Sequence, residues 1–188
     1  MFYITGDSHR CLYRDMIDCG DYNTIYKFTK MLNDGLILNE NMHEDDYILC
    51  VYGEIDVRHH FANQIKNGRD LHEIIDSLVN NYVKSLRNVR AKVVVRGVVA
   101  PLPNECHSFD GKNSITSTYE ERIQWRRMLN EKLETKCKEN NIIFLPSPPI
   151  TENEDGTMKI EMSDHIIHIK TDQEICDYAF KQLMNVCL

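Results

Sequence analysis

The sequence predicts an α/β fold, a three-layer α/β/α sandwich built around a mostly parallel sheet of about five strands. Short apolar runs alternate along the chain with segments of helical periodicity, and this alternation is typical of β-α-β units. The runs at residues 47–52 and 93–95 are apolar at consecutive positions. Such runs indicate strands that are buried on both faces of a parallel sheet.

The predicted strands are the apolar runs themselves. They are residues 2–5, 47–52, 92–98 and 142–145, with a shorter extended piece at residues 36–38. Because parallel strands end at the same edge of a sheet, the loops that follow them should open side by side.

The predicted helices follow from apolar spacing and capping residues. A helix from Asp70 to about Arg87 has apolar side chains three and four positions apart, which gives it one buried face. A second helix begins at Thr118, because Glu121 three positions later completes a capping-box pattern. A last helix begins at Asp172, and its apolar face packs either internally or against another subunit or domain.

Length and composition limit the classes of protein to consider. The chain has 188 residues, 42% of them hydrophobic and 27% charged, with a net charge of −7. One domain over residues 1–188 is therefore expected. Without a block of lysines and arginines, nucleic acid and anionic membranes are poor partners. With seven scattered cysteines, no signal peptide and no membrane-length apolar run, we expect a cytoplasmic protein (in the host cytoplasm if it is viral).

The first strand ends in a turn that carries a candidate nucleophile. Gly6, Asp7, Ser8 and His9 follow the opening apolar run, at the edge of the sheet where α/β proteins bind ligands. Backbone N–H groups at such a turn can hold an oxyanion beside the serine. An ordinary Gly-Asp-Ser turn is the alternative interpretation.

Two further loops carry polar side chains to the same edge. The loop after residue 52 contributes Gly53, Glu54, Asp56 and Arg58. The loop before the last helix contributes Asp164, His165 and His168. A serine, a histidine and an acid on neighbouring loops are the parts of a nucleophilic serine site. A surface ion-pair network is the alternative for the charged residues of the first of these loops.

These residues, in this order, resemble the SGNH or GDSL hydrolase superfamily. The sequence is most similar to a branch with a Gly-Glu-Ile-Asp-x-Arg signature, found in bacteria and large DNA viruses. The similar segments cover most of the chain: residues 4–9, 52–58, 69–70, 98–103, 121–122, 129–133, 155–157 and 163–168.

The resemblance implies a role for each residue of a catalytic triad. Ser8 is then the nucleophile, His168 the general base and Asp164 the acid that orients it. His165 is the rival base, because many superfamily members space the acid and histidine as Asp-x-x-His; we favour His168, since His165 directly adjoins the acid. The residues expected to hold the oxyanion and substrate are Asp7, Thr29, Gly53, Glu54, Asp56 and Arg58.

Two departures from the superfamily pattern affect the oxyanion hole. Ile55 occupies the place of an asparagine that usually donates to the oxyanion, and its side chain cannot donate. The second-block glycine is also absent, so the backbone N–H of Thr29 is the expected substitute. Losing one such donor typically costs about 10²–10³ in rate. Arg58 either helps to hold the oxyanion or a substrate phosphate, or pairs with Glu54 or Asp56.

A metal site is the weaker interpretation of the histidines. The side chains that could gather around an ion are Asp56, His59, His60, His165 and His168. No HExxH spacing or other strong ligand signature is present, so we expect no metal.

The triad leaves three functional hypotheses. The first, which we favour because a cytoplasmic location is expected and the asparagine typical of the hydrolases is absent, is an acetyltransferase. It would move an acetyl group from acetyl-CoA through Ser8 to an amino or hydroxyl group of a sugar or nucleotide-sugar in glycan synthesis. The second is a carbohydrate O-acetylesterase with the same triad. The third is a non-catalytic glycan-binding module that has kept the fold.

Overall fold

The central feature of the fold is a parallel sheet. The structure, a computed structural model, describes residues 1–103, 117–164 and 168–188. Across these described residues the strands are β1 (Phe2–Gly6), β2 (Ile17–Asp21), β3 (Tyr47–Val51), β4 (Lys92–Arg96) and β5 (Ile143–Leu145). They lie in the order β2-β1-β3-β4-β5, and every neighbouring pair is parallel. The predicted α/β fold class is confirmed.

Helices cover both faces of this sheet. They are α1 (Ile25–Asn33), α2 (Phe61–Lys66), α3 (Leu71–Ser85), α4 (Tyr119–Glu139) and α5 (Gln173–Cys187). One apolar cluster joins the sheet to α1, α3 and α4, for example through Phe28, Val79 and Leu129. A second cluster joins the opposite face to α5 through Ala179 and Leu183. The arrangement is the predicted three-layer sandwich.

The buried strands explain why their sequences are apolar at consecutive positions. In β3, Ile48 and Cys50 belong to the first cluster, whereas Leu49 and Val51 belong to the second. Successive side chains of a strand point to opposite faces, so a strand covered on both faces needs an apolar residue at each position.

The predicted extended piece at residues 36–38 is wrong, and the fifth strand is β2 instead. Residues 36–38 follow the end of α1, where the Leu36 N–H donates to the Met31 carbonyl at 2.9 Å and the Gly35 N–H to the Leu32 carbonyl at 3.2 Å. Gly35 has a φ of +92°, so this segment closes a Schellman-type helix end. β2 escaped prediction because it is a largely exposed edge strand with few apolar residues.

Capping residues set the starts of α3 and α4 as the sequence predicts, whereas the Asp172 side chain makes no capping hydrogen bond at the start of α5. The Asp70 side chain accepts from the Glu73 N–H at 3.1 Å at the start of α3. At the start of α4, Thr118 and Glu121 form both hydrogen bonds of a capping box, which satisfies two backbone donors.

The terminal helix packs internally through one face. Ile175, Ala179 and Leu183 are buried, whereas Val186 and Leu188 are 41% and 90% exposed. A partner on that exposed end, and the assignment of residues 1–188 to one domain, stay predictions. No helix in the described part of the chain is long and apolar enough to cross a membrane.

Candidate active site

The turn after β1 is shaped by a close approach to β3. A Cβ atom added at Gly6 would lie 2.4 Å from the Val51 carbonyl oxygen, so this position has no room for a side chain. The Asp7 N–H donates to that same carbonyl at 2.8 Å. The chain then enters a short 3-10 helix, Ser8–Leu12, with Asp7 as its N-cap. Ser8 therefore lies on the first turn of a helix at the carboxyl end of a central strand.

A serine, a histidine and an aspartate meet at this edge. The Ser8 Oγ lies 2.8 Å from His168 Nε2, and His168 Nδ1 lies 2.8 Å from Asp164 Oδ2. Because a carboxylate only accepts, His168 donates from Nδ1–H to Asp164, and its Nε2 is left to accept from the Ser8 hydroxyl. This is the arrangement in which an imidazole can take a serine proton.

The loop that carries the histidine is held by its own backbone. The Asp164 N–H donates to the His168 carbonyl at 2.9 Å, and the His168 N–H donates to Asp164 Oδ1 at 2.9 Å. Ser163 and Ile169 form an antiparallel bridge on either side. Asp164 thus fixes both the backbone and the ring of His168. The rival base His165 lies outside the described residues.

A second histidine, which the sequence did not single out as a site residue, lies beside the triad. His9 is 2% exposed, its Nδ1 lies 3.1 Å from Asp7 Oδ1, and its ring centroid is 5.3 Å from that of His168. Burial lowers the pKa of His9, but the hydrogen bond and charge of Asp7 outweigh that effect and raise it overall. Asp7 therefore acts on the site through His9 and the helix cap. In the sequence, the position of His9 next to Ser8 was the available signal. The burial of the His9 side chain could not be read from the sequence.

The loop after β3 is anchored by a glycine and by an ion pair. Gly53 has a φ of +115°, and a Cβ atom there would lie 2.6 Å from the Val98 Cγ2. Arg58 donates from Nε to Glu54 Oε1 at 2.6 Å and from NH2 to Oε2 at 3.0 Å. Arg58 and Glu54 side chains are only 7% and 16% exposed. Of the two roles weighed for Arg58, the structure places it in the pair with Glu54.

Replacing Arg58 with lysine should destabilise the protein. A lysine cannot reproduce the two-pronged bond to the buried Glu54 carboxylate, so we expect the free energy of unfolding to fall by about 1–3 kcal/mol. Urea denaturation measures this, with Arg90→Lys at an exposed position as the matched control. Unchanged stability together with a raised KM would instead mean that Arg58 contacts substrate.

Asp56 lies deeper, behind the same loop. It is 1% exposed, and its Oδ2 accepts from the Ile25 N–H at 2.9 Å, at the start of α1. Burial raises the pKa of Asp56 to about 7, with smaller contributions in the same direction from the charges of Asp7 and Glu54. Asp56 ties the loop after β3 to α1.

The prediction that Thr29 supplies an oxyanion donor is wrong. Thr29 lies in the middle of α1 and on its buried face. A backbone N–H at that point of a helix donates to the carbonyl four residues earlier, so it is not available to a substrate. The loop between β2 and α1 is residues 22–24, and its turn at Asn23 has a φ of +63°.

The described residues contain no group of three or more metal-ligating side chains. His59 and His60 follow Arg58 in a short π-helix, Asp56–His60. Burial lowers the pKa of both histidines. His59 Nε2 lies 2.8 Å from Arg58 NH1, so this nitrogen is occupied by the arginine.

The triad is open to solvent. The side chains of His168 and Asp164 are 29% and 31% exposed. An open groove of about 480 Å³ reaches Ser8 and is bordered by Arg10, Arg14 and other residues. The Ser8 hydroxyl is therefore accessible to a small molecule.

Comparison with solved structures defines the class of fold. A GDSL-like lipase from Bacteroides thetaiotaomicron is 16% identical, with 100% of this chain and 88% of its own covered and a TM-score of 0.64. An esterase from Pseudoalteromonas sp. is 13% identical over 98% and 97% of the two chains, with a TM-score of 0.58. An acetylxylan esterase from Geobacillus stearothermophilus, solved as a catalytic mutant, is 11% identical over 99% and 93%, with a TM-score of 0.57.

The protein therefore has the α/β fold of SGNH or GDSL hydrolases, as the sequence resemblance implies. No protein-family model matches the sequence, and no curated protein matches it. At these identities the likeness extends to the fold, and the chemistry must be argued from the site.

Proposed function

We propose that the protein is a serine acyl-transfer enzyme of the SGNH type, with Ser8 as nucleophile, His168 as general base and Asp164 as the acid that orients it. The observation that carries the proposal is the hydrogen-bonded chain from Ser8 Oγ through His168 to Asp164, with both links at 2.8 Å. A serine that only formed a turn would not require a histidine that is itself held by a carboxylate.

The reaction proceeds through an acyl-enzyme. Ser8 Oγ attacks the substrate carbonyl carbon while its proton passes to His168 Nε2, and Asp164 stabilises the imidazolium that forms. The oxyanion lies near the first turn of the 3-10 helix, where backbone N–H groups lack intrahelical partners. Collapse expels the alcohol, which takes the proton from His168. Water or another acceptor then attacks the acyl carbon while His168 takes its proton, and the Ser8 Oγ–acyl bond breaks as His168 returns that proton to Oγ.

The identity of that second acceptor separates an esterase from a transferase. Although the sequence favours a transferase, we now favour a carbohydrate O-acetylesterase, because the exposed triad gives water direct access to the acyl-enzyme, and a transferase must restrict that access. The fold neighbours with named activities include an esterase and an acetylxylan esterase, which supports the same choice.

Transfer from acetyl-CoA to a sugar or nucleotide-sugar is the second candidate. The observation that favours it is Ile55 in the place of an oxyanion-donating amide, a departure from the hydrolase pattern. This candidate would act in the cytoplasm, as part of glycan synthesis.

One mass-spectrometric experiment tests the proposal. The protein and its Ser8→Ala variant are each incubated with a fluorophosphonate probe, with p-nitrophenyl acetate and with acetyl-CoA, and intact masses are recorded. We expect one fluorophosphonate adduct on the wild type and none on Ser8→Ala. No adduct on the wild type would favour the non-catalytic glycan-binding module.

The acceptor is then identified from the fate of the acyl group. Acetate released from acetylated xylan, with no acetyl-enzyme formed from acetyl-CoA, identifies an esterase. An acetyl-enzyme that forms from acetyl-CoA and is discharged by an amino-sugar nucleotide, but not by water, identifies the transferase.

A further inference from the structure

A second groove lies on the outer face of the helical layer, apart from the triad. It has a volume of about 750 Å³ and runs between α1, α2 and α3, within the range of about 300–1,000 Å³ for ligand pockets. Its upper end includes Thr24 and Asp56, from the loops after β2 and β3. The groove therefore begins at the carboxyl edge of the sheet, where Ser8 also lies.

The walls of the groove are lined by uncharged polar groups. Its amide side chains are Asn33, Asn63, Gln64, Asn67 and Asn81. Each amide offers both a donor and an acceptor, which is the pairing that a ligand hydroxyl group requires. An uncharged amide does not select for a charged ligand, but several amides together match a ligand with many hydroxyl groups.

The floor of the groove holds a polar atom without a partner. Thr29 is 7% exposed, and its Oγ1 has no hydrogen-bond partner among the described residues. An unsatisfied buried hydroxyl costs about 1–3 kcal/mol, so a polar group seated on this floor would be favoured.

One pair of opposite charges in the groove is matched, since Lys30 donates to Asp34. Arg69 donates to the uncharged Gln64 side chain, so it keeps its charge. Burial lowers the pKa of His60 and raises that of Asp56 to about 7, which in each case disfavours the charged form. Amide side chains outnumber Arg69 in the lining, so a neutral ligand with many hydroxyl groups meets more partners there than a phosphate or a carboxylate does.

The rim supplies an aromatic face. Tyr26 lines the groove and is 68% exposed. An exposed ring that is apolar on its face and polar at its tip suits the apolar face of a sugar ring. Ile74 and Leu78 extend this apolar surface along α3.

We propose that the groove between α1, α2 and α3 binds a neutral oligosaccharide, as a site separate from the triad. The proposal deepens the proposed function and rests on it only for the link to acyl chemistry: the groove would hold sugar units of the same glycan that is acylated or deacylated at Ser8.

Binding is tested without turnover. Ser8→Ala protein is applied to a printed array of neutral and acidic glycans, and the strongest neutral glycan is then titrated by calorimetry. We expect saturable binding to neutral glycans. Tyr26→Ala and Asn81→Ala, each added to Ser8→Ala, should weaken it at least about tenfold. Tyr178→Ala, an exposed tyrosine on α5 (39% exposed), is the matched control and should bind as Ser8→Ala does.

Three results would overturn the proposal. They are an array without retained neutral glycans, binding confined to acidic glycans, and unchanged affinity in Tyr26→Ala and Asn81→Ala. Failure of the proposed function is distinguishable, because it appears as an unreactive Ser8 in wild-type protein and leaves glycan binding intact.

Discussion

Replacing Ser8 with alanine should abolish acyl transfer and leave the fold intact. Ser8 is the only described group within hydrogen-bond distance of His168 Nε2, so its removal eliminates the acyl-enzyme route. Loss of one triad member typically lowers kcat by about 10⁴-fold or more. The measurement is the steady-state rate with p-nitrophenyl acetate, alongside urea denaturation to show that stability is unchanged to within about 1 kcal/mol.

His168→Ala should be nearly as severe, because members of a triad act as a unit. The matched control is His72→Ala, at an exposed histidine of α3, which should turn over at the wild-type rate. His165→Ala decides between the rival bases. If it were the more damaging of the two histidine changes, the assignment of His168 as base would be wrong.

The sequence predicts best those features that depend on residues close together in the chain, such as buried strands and helix caps. Each buried strand is apolar at consecutive positions, and parallel strands end at one edge. For that reason Ser8 after β1 and Asp164 and His168 before α5 could be expected close together. The capping pairs at Asp70 and Thr118 are equally local, and both form as the sequence indicates.

The elements that escape prediction depend on tertiary context. β2 is an edge strand with a mostly exposed sequence, so no apolar pattern marks it. We also predict no helix at α1 from the sequence, so the backbone N–H of Thr29 is expected to be free although Thr29 lies inside that helix. His9 follows Ser8 and His59 follows Arg58, and nothing in the sequence distinguishes the two histidines. Of the two, only His9 is buried against an acid.

The roles of the charged residues after β3 also depend on burial. From the sequence, Arg58 could pair with Glu54, with Asp56 or with substrate. The structure gives Glu54 both bonds from Arg58 and leaves Asp56 to accept the Ile25 N–H. Helical spacing favours Glu54, four residues before Arg58, over Asp56, two residues before it, but the sequence predicts a loop here, where that rule does not apply.

Asp56→Asn should make the stability of the protein less dependent on pH. Burial raises the pKa of Asp56 from 3.8 to about 7 in the folded state, so between these values the folded protein holds a proton that the unfolded chain has lost. The unfolded state then binds fewer protons than the native state, and stability falls as pH rises. Above about pH 7 both states are ionised and this contribution stops changing.

Asparagine keeps the acceptor for the Ile25 N–H and has no proton to lose. The free energy of unfolding of Asp56→Asn, minus that of the wild type, should therefore increase from about pH 4 to pH 8 by a few kcal/mol. Urea denaturation at several pH values measures this difference. Asp45→Asn, at a fully exposed carboxylate, serves as control and should follow the wild-type curve. A difference that stays constant with pH would mean that Asp56 is ionised in the folded protein, and that the Ile25 N–H outweighs the cost of burial.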